Sequence, residues 1–181
     1  VDEQEIQDKL YKWLTFNKGH DLICPNAYLF QWESDLISCT RARYVHEYEI
    51  KISRSDFKAD SKKSEKHQAL ETGERELSKW EQECVERNGN LWGRAIGPKG
   101  GIELSRPNYF WYVCPEKMIK PDEVPEYAGL LTFKGNYFYF DVIKKPKKLH
   151  TEKIKESQKN SVLEKLQFRY WNLRLTKMEQ K

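Results

Sequence analysis

A mixed α/β fold, with a mixed β-sheet core flanked by helices, follows from three features of the 181-residue sequence. An amphipathic segment opens the chain, two strand-like runs joined by a short polar turn follow, and a later aromatic run is apolar at every position. These predict helices packed on a sheet whose middle is covered on both sides. Aromatic residues make up 13% of the chain, enough large side chains to build a core and to argue against disorder.

Over residues 2–16, Ile6, Leu10, Trp13 and Leu14 recur at helical spacing, with Gly19 as the stop. Residues 35–39 and 44–52 read as two strands of a hairpin turning at 40–43. Ser53-Arg-Ser-Asp56 offers capping side chains, so one helix over 57–67 follows the second strand directly. The stretch 68–105 is charged and then rich in glycine (Gly89, Gly93, Gly97, Gly100, Gly101), which predicts an inserted helix and loop. Residues 109–114, bounded by Pro107 and Pro115, read as a central strand. Residues 128–133 and 137–143 flank Lys134-Gly135-Asn136, a turn sequence suited to a closing hairpin. Beyond Pro146, Val162, Leu163, Leu166, Tyr170 and Leu173 keep helical spacing in a long basic C-terminal helix. The expected organisation is one domain over 1–150, carrying the insertion at about 68–105, and a C-terminal amphipathic helix over 151–181.

No apolar run approaches the roughly 20 residues that span a bilayer, so no membrane partner is expected. The first residues lack the basic-then-apolar pattern of a secretory signal, which reads as a cytoplasmic protein, in a bacterial or phage-infected cytosol. Cys24, Cys39, Cys84 and Cys114 have no CxxC spacing, so reduced structural thiols are expected rather than a zinc site. From Asp141 onward, twelve basic residues face five acidic ones, a surplus of +7 that leaves the first 140 residues at −3. A polyanion such as nucleic acid is the partner this suggests, with a solvated helix face as the plain alternative.

The chemistry concentrates in the expected hairpin, at Asp35 and at Glu49-Ile50-Lys51. Alternation along a strand projects Glu49 and Lys51 together while Ile50 points to the core, and Ile50 and Ile52 then anchor the charged pair. On that reading truncating Lys51 removes no core volume. Asp35, Glu49 and the Ile50 carbonyl supply the hard oxygens that Mg²⁺ takes, with Mn²⁺ as a substitute. Lys51 would hold the attacking water or stabilise charge on a phosphorane. A solvent-facing cross-strand ion pair is the bland alternative.

Asp35, thirteen intervening residues and Glu49-Ile-Lys51 on a hairpin that follows a helix resemble the PD-(D/E)XK nuclease superfamily. The continuation from Glu49 through Ser53-Arg-Ser-Asp-Phe57 to Asp60 is similar to the corresponding stretch of MmcB-like DNA repair proteins and related phage proteins. The resemblance implies a restriction-endonuclease-like core of order α-β-β-β-α-β and a magnesium-dependent endodeoxyribonuclease of phage or bacterial DNA repair, recombination or processing. It also implies a further carboxylate from the first helix. Glu3, three positions before Ile6, fits better than Glu5, and Gln7 lies one turn on. The implied catalytic set is Glu3, Asp35, Glu49 and Lys51, with the metal on Asp35, Glu49, the Ile50 carbonyl and Glu3. DNA is the implied partner, and a homodimer is compatible. A catalytically silent DNA-binding or protein-interaction module on the same fold, or an RNA-directed nuclease, remains open.

Lys58, Lys62 and Lys63 fit a helix touching phosphates, and Lys144, Lys145, Lys147 and Lys148 form a basic cluster for the same purpose. His46 reads as a packed histidine, Asp56 as a capping residue, and Glu33 as a polar strand start. Phe168, Tyr170 and Trp171 suit base stacking, though core packing is favoured because Tyr170 continues the apolar stripe.

Overall fold

The computed structural model describes residues 2–89, 91, 96, 100–103, 105–135 and 139–179. Gly93, Gly97, Asn136, Tyr137 and Phe138, named above, lie outside the described residues. Helix α1 (Glu3–Trp13) starts on Asp2, whose carboxylate accepts the Glu5 N–H, and passes through one π-helical turn (Leu14–Lys18). Gly19, left-handed at φ 65°, ends it as the sequence predicts. Strands β1 (Leu22–Ala27), β2 (Ser34–Cys39) and β3 (Val45–Ile50) form an antiparallel meander. Helices α2 (Arg54–Asp60) and α3 (Ser64–Thr72) follow. Short strands β4 (Glu74–Arg75) and β5 (Ile102–Glu103) pair with each other, with α4 (Lys79–Asn88) between them in the chain.

The chain returns as β6 (Tyr109–Pro115), parallel to β3, and β7 (Gly129–Phe133), parallel to β6. Strand β8 (Phe140–Lys144) closes the sheet antiparallel to β7, and α5 (Glu156–Glu179) ends the fold. The six-stranded sheet thus runs β1-β2-β3-β6-β7-β8, a mixed sheet flanked by helices. Along the chain, a helix and three strands are followed by α2, α3, β4, α4 and β5 before β6 returns parallel to the third strand of the meander.

Three apolar clusters hold the layers together. Ile6, Leu10, Trp13 and Leu14 at the N-terminal end pack on Leu36, Tyr48, Ile50, Val113 and Leu131. Phe57 and Leu70 pack on Phe110, Tyr112 and Leu130 on the other face. Ile154 and Val162 cover Leu22, Cys24, Ile37 and Cys39. Each such large apolar side chain contributes about 1.5–3 kcal/mol relative to exposure. His46 is packed as expected: its Nδ1 accepts the Trp111 Nε1–H at 3.1 Å, its ring stacks on Tyr109, and burial pushes its pKa down to about 3. All four cysteines are free and buried. Among the described residues no helix is long and apolar enough to cross a membrane.

Several expectations are corrected. Strand β1 escapes sequence reading because Pro25 and Asn26 interrupt it; an edge position tolerates the proline, and Asn26 takes φ 49°. The single helix over 57–67 is two helices, broken at Ser61–Lys63 and starting on Ser53, whose hydroxyl accepts the Asp56 N–H. Helix α3 runs on to Thr72 and stops at left-handed Gly73. Ile52 does not anchor Lys51, being half exposed. Core packing of the C-terminal aromatics fails: Phe168, Tyr170 and Trp171 are 68, 55 and 48% exposed, and Leu173 is exposed as well. Only Val162 and Leu166 of α5 join a core cluster.

Gly129 offers a sharp test of the packing. A Cβ there would lie 2.5 Å from the Trp111 ring and 2.9 Å from Pro146 in the middle of the sheet. We expect Gly129→Ala to destabilise the fold by about 1–3 kcal/mol, as overpacking does. Thermal melts should show a drop of roughly 2–4 °C per kcal/mol, and an unchanged midpoint would contradict this packing.

Candidate functional site

The register that pairs Leu36 with Tyr48 carries Asp35, at the start of β2, to the position opposite Glu49 near the end of β3. Asp35 Oδ2 accepts the Ile50 N–H at 2.7 Å, locking the carboxylate against the strand that bears Glu49 and leads into Lys51. Glu3 opens α1 and is coupled to the same place by Gln7, one turn later. The Gln7 amide shares its two hydrogens among Glu3 Oε1 at 3.0 Å, Asn26 Oδ1 at 2.8 Å and the Asp35 carbonyl at 2.9 Å. Glu5 is turned elsewhere, pairing with Lys9 at 2.7 Å. Glu33 accepts from the Tyr28 hydroxyl. All four residues of the implied catalytic set therefore belong to one neighbourhood.

The surroundings of Glu49 and Lys51 differ from the expected open face. Helices α2 and α3 cover that side of the sheet, so both side chains are buried, at 3 and 4% exposure. Lys51 Nζ lies 2.9 Å from Glu49 Oε1 and 3.5 Å from both Asp56 and Asp60. Lys63, half exposed, reaches the same Glu49 oxygen at 3.2 Å and Asp60 at 3.0 Å. Lys66 meets Glu49 Oε2 at 2.6 Å and Glu47 Oε1 at 3.0 Å. Trp32 Nε1 donates to Glu47, and the Tyr112 hydroxyl donates to Asp60. Truncating Lys51 would thus strip a cation from buried carboxylates, contrary to the expectation of little cost.

The electrostatics follow from this geometry. Burial opposes the Lys51 charge, yet Glu49 and Asp60 keep its pKa above the ordinary value, so Lys51 stays protonated. Burial likewise opposes the Asp60 carboxylate, but His67 and Tyr112 hold its pKa well below the usual range. Asp35 goes the other way: burial first, and Glu49 next, push it up to about 7. Burial, Asp56 and Glu49 also raise Glu3. Among the described residues, no Lys, Arg or His nitrogen pairs with Asp35 or Glu3, whereas Glu47, Glu49 and Asp60 are matched by Lys51, Lys63 and Lys66.

Asp35, Glu49, Glu3 and the Ile50 carbonyl are hard oxygen donors, and burial first, then the neighbouring Glu49, raises the pKa of Asp35. Among the described residues no three His, Cys, Asp or Glu side chains are grouped so as to hold a metal ion by themselves. Oxygens of this kind are the ligand type that Mg²⁺ takes.

The expected nucleic-acid lysines separate. Lys58 and Lys62 are exposed on and just after α2, and Lys63 belongs to the site itself. Lys144 is spent on the Val124 and Pro125 carbonyls, Lys147 on Glu126, and Lys148 lies 3.9 Å from the centre of the Tyr44 ring. From Lys144 the chain runs past the amino ends of β7, β6 and β3, the end of those strands opposite the site, bonded through Lys147 N to Tyr127 O, Leu149 N to Asn108 O and Ile154 N to Arg43 O. Lys144, Lys145, Lys147 and Lys148 do not border Asp35 and Glu49. Sequence reading missed Glu47, Asp60, Lys66 and Tyr112; the i, i+2 spacing of Glu47 and Glu49 was the one available signal.

No protein-family model matches the chain, and no curated protein does. Among solved structures, a protein of unknown function from Silicibacter pomeroyi is similar in fold, with a TM-score of 0.52 at 13% identity over 96% of this chain and 90% of that one.

The raised pKa of Asp35 yields a signed prediction. The folded value lies above the roughly 3.9 of an unfolded chain, so the stability linked to Asp35 is complete below about pH 4 and is lost as pH rises through about 7. With EDTA present, Asp35→Asn should gain at least about 1 kcal/mol over wild type at pH 8, roughly 2–4 °C in Tm, and little at pH 4.5. Equal shifts at both pH values would show that Asp35 is not held at raised pKa.

Proposed function

We propose that this chain is a magnesium-dependent endodeoxyribonuclease. The observation that carries the reading is the division of charge at the site: a lysine-matched network around Glu49, beside Asp35 and Glu3, two carboxylates without a cationic partner among the described residues. Asp35, Glu49 and Glu3, with the Ile50 carbonyl, would hold Mg²⁺ or Mn²⁺. Bound there, the ion would polarise a phosphate and lower the pKa of its water.

The chain's own groups supply the rest. Lys51 is held as a cation by Glu49, Asp56 and Asp60, so it acts by charge on the water and the phosphorane, and does not accept a proton. Lys63 carries the more exposed ammonium on Glu49 and is free to exchange onto a phosphate oxygen. Gln7 orients Glu3, and the Ile50 N–H orients Asp35. A DNA strand then meets positive charge at Lys58, Lys62 and Lys63 rather than at the 144–148 stretch. One observation favours a second reading, a silent binding module: both oxygens of Glu49 already have ammonium partners.

The deciding experiment is a cleavage panel of duplex, single-stranded, Holliday-junction and flap DNA and of RNA, with Mg²⁺, Mn²⁺ or EDTA. Metal-dependent cutting of DNA is expected; tight binding without cutting would promote the silent module, and cutting of RNA alone would redirect the substrate. In the active protein, Lys51→Met should lower the single-turnover rate about 10²- to 10³-fold, the usual cost of losing one electrostatic stabiliser. A near-normal rate would remove Lys51 from the chemistry.

For binding, Lys58→Gln with Lys62→Gln should flatten the salt slope of log affinity for duplex DNA by about 0.9 for each phosphate no longer neutralised. Lys145→Gln, at the far end of the strands, should leave it unchanged. The opposite pattern in salt titrations would put the DNA at the other end of the strands.

A further inference from the structure

Lys66 comes from α3, outside the hairpin that bears the acids, and is more tightly enclosed than a surface helix residue. Its side chain is 7% exposed, with Nζ 2.6 Å from Glu49 Oε2 and 3.0 Å from Glu47 Oε1. The same nitrogen lies 5.6 Å from the centre of the Trp32 ring and 5.2 Å from that of Phe110. Trp32 in turn fixes Glu47 through its Nε1–H at 2.8 Å, and the second oxygen of Glu47 has no hydrogen-bond partner. Lys66 is therefore held by two carboxylates and two rings, while Lys63 is half exposed and Lys51 divides its charge among Glu49, Asp56 and Asp60.

We infer that Lys66 is a positioning residue that fixes the Glu49 carboxylate and offsets part of its charge, so that the site takes a divalent cation weakly until a substrate phosphate joins it. A fixed positive charge on one oxygen of a ligating carboxylate lowers the attraction of that carboxylate for a cation, and in a buried site the effect is weakly screened. The same contact stops Glu49 from rotating, which a rigid site requires. Glu47 is what makes this arrangement tolerable: it is the second carboxylate against the buried Lys66 ammonium, at 3.0 Å. The inference rests on the divalent-ion reading proposed above.

The test is a calorimetric titration of the whole chain with Mn²⁺, without nucleic acid, for wild type, Lys66→Met, Lys66→Arg, Asp35→Asn and Lys66→Met/Asp35→Asn. Lys66→Met should bind Mn²⁺ at least about tenfold more tightly, Lys66→Arg should match wild type, and Asp35→Asn should lose binding. A purely structural role would weaken binding in Lys66→Met, the opposite sign. Folded Lys66→Met with unchanged or weaker affinity would overturn the inference while leaving the Asp35 site in place. Equal Mn²⁺ binding by Lys66→Met and Lys66→Met/Asp35→Asn would overturn the divalent-ion reading instead, and this inference with it. Circular dichroism checks the fold, and Lys66→Met/Glu47→Gln, which also retires the second buried charge, is titrated in parallel. Failure of both to fold would make Lys66 a folding ion pair and reject the assignment.

Discussion

The Glu49 carboxylate, buried near the end of β3 and shared by Lys51, Lys63 and Lys66, is the constraint on which the rest of the structure depends. A carboxylate left alone there would cost several kcal/mol, and removing one partner of a buried pair typically costs about 3–5 kcal/mol. Two of its three ammoniums come from α3 or the turn before it, so the charge can be satisfied only if α2 and α3 fold back onto the sheet. Asp60 extends the requirement to Tyr112 of β6, and His67 extends it to Tyr127 through a 2.6 Å contact. A polar network thus reaches across the layer that Phe57, Leu70 and Phe110 fill with apolar contacts.

The two faces of the sheet divide the work. On one, α1 buries Ile6, Leu10 and Trp13 against Tyr48 and Ile50, and the same helix brings Glu3 and Gln7 to the start of β2. On the other, the row Glu47, Glu49 and Lys51 runs between aromatic neighbours. Because β3 and β6 are parallel, their carboxyl ends lie side by side, and Lys51 N bonds to Val113 O just past the last ladder pair. Carboxyl ends of parallel strands are where open α/β sheets place ligand sites. The segment from Lys144 to Ile154 covers the amino ends of β3, β6 and β7, with Lys144 on the Val124 and Pro125 carbonyls.

The C-terminal helix separates two properties that amphipathic spacing merges. Lys159 and Arg169 tie it to the body, on Asp21 and on the Pro25 and Asn26 carbonyls, and Val162 packs under it. Apolar side chains beyond Leu166 lie around the helix and not in one stripe, leaving Phe168, Leu173, Leu175 and Met178 in solvent. Periodicity can establish that such a segment is helical. It cannot establish which residues find a surface to cover.

By itself the sequence determined the mixed α/β class, the hairpin bearing Asp35 and Glu49-Ile50-Lys51, the central strand over 109–114 and the two terminal helices, because each rests on local periodicity, caps or turn residues. Strand alternation also put Glu49 and Lys51 on one face, while the approach of Glu3 and Asp35, implied by the resemblance, depends on the β2–β3 register and on how α1 docks. Only the tertiary structure decided that the charged face is buried and that Lys66 and Asp60 complete it. It also assigned Lys144 to backbone carbonyls and made an edge strand of Leu22–Ala27 despite Pro25. These are contacts between residues as many as 20 positions apart, among charges scattered through a chain that is 33% charged, and nothing local distinguishes a lysine that will be buried from one that will not. Burial is conferred by the helices that close over the sheet, and it converts an ordinary Glu-x-Lys into a desolvated, lysine-ringed carboxylate.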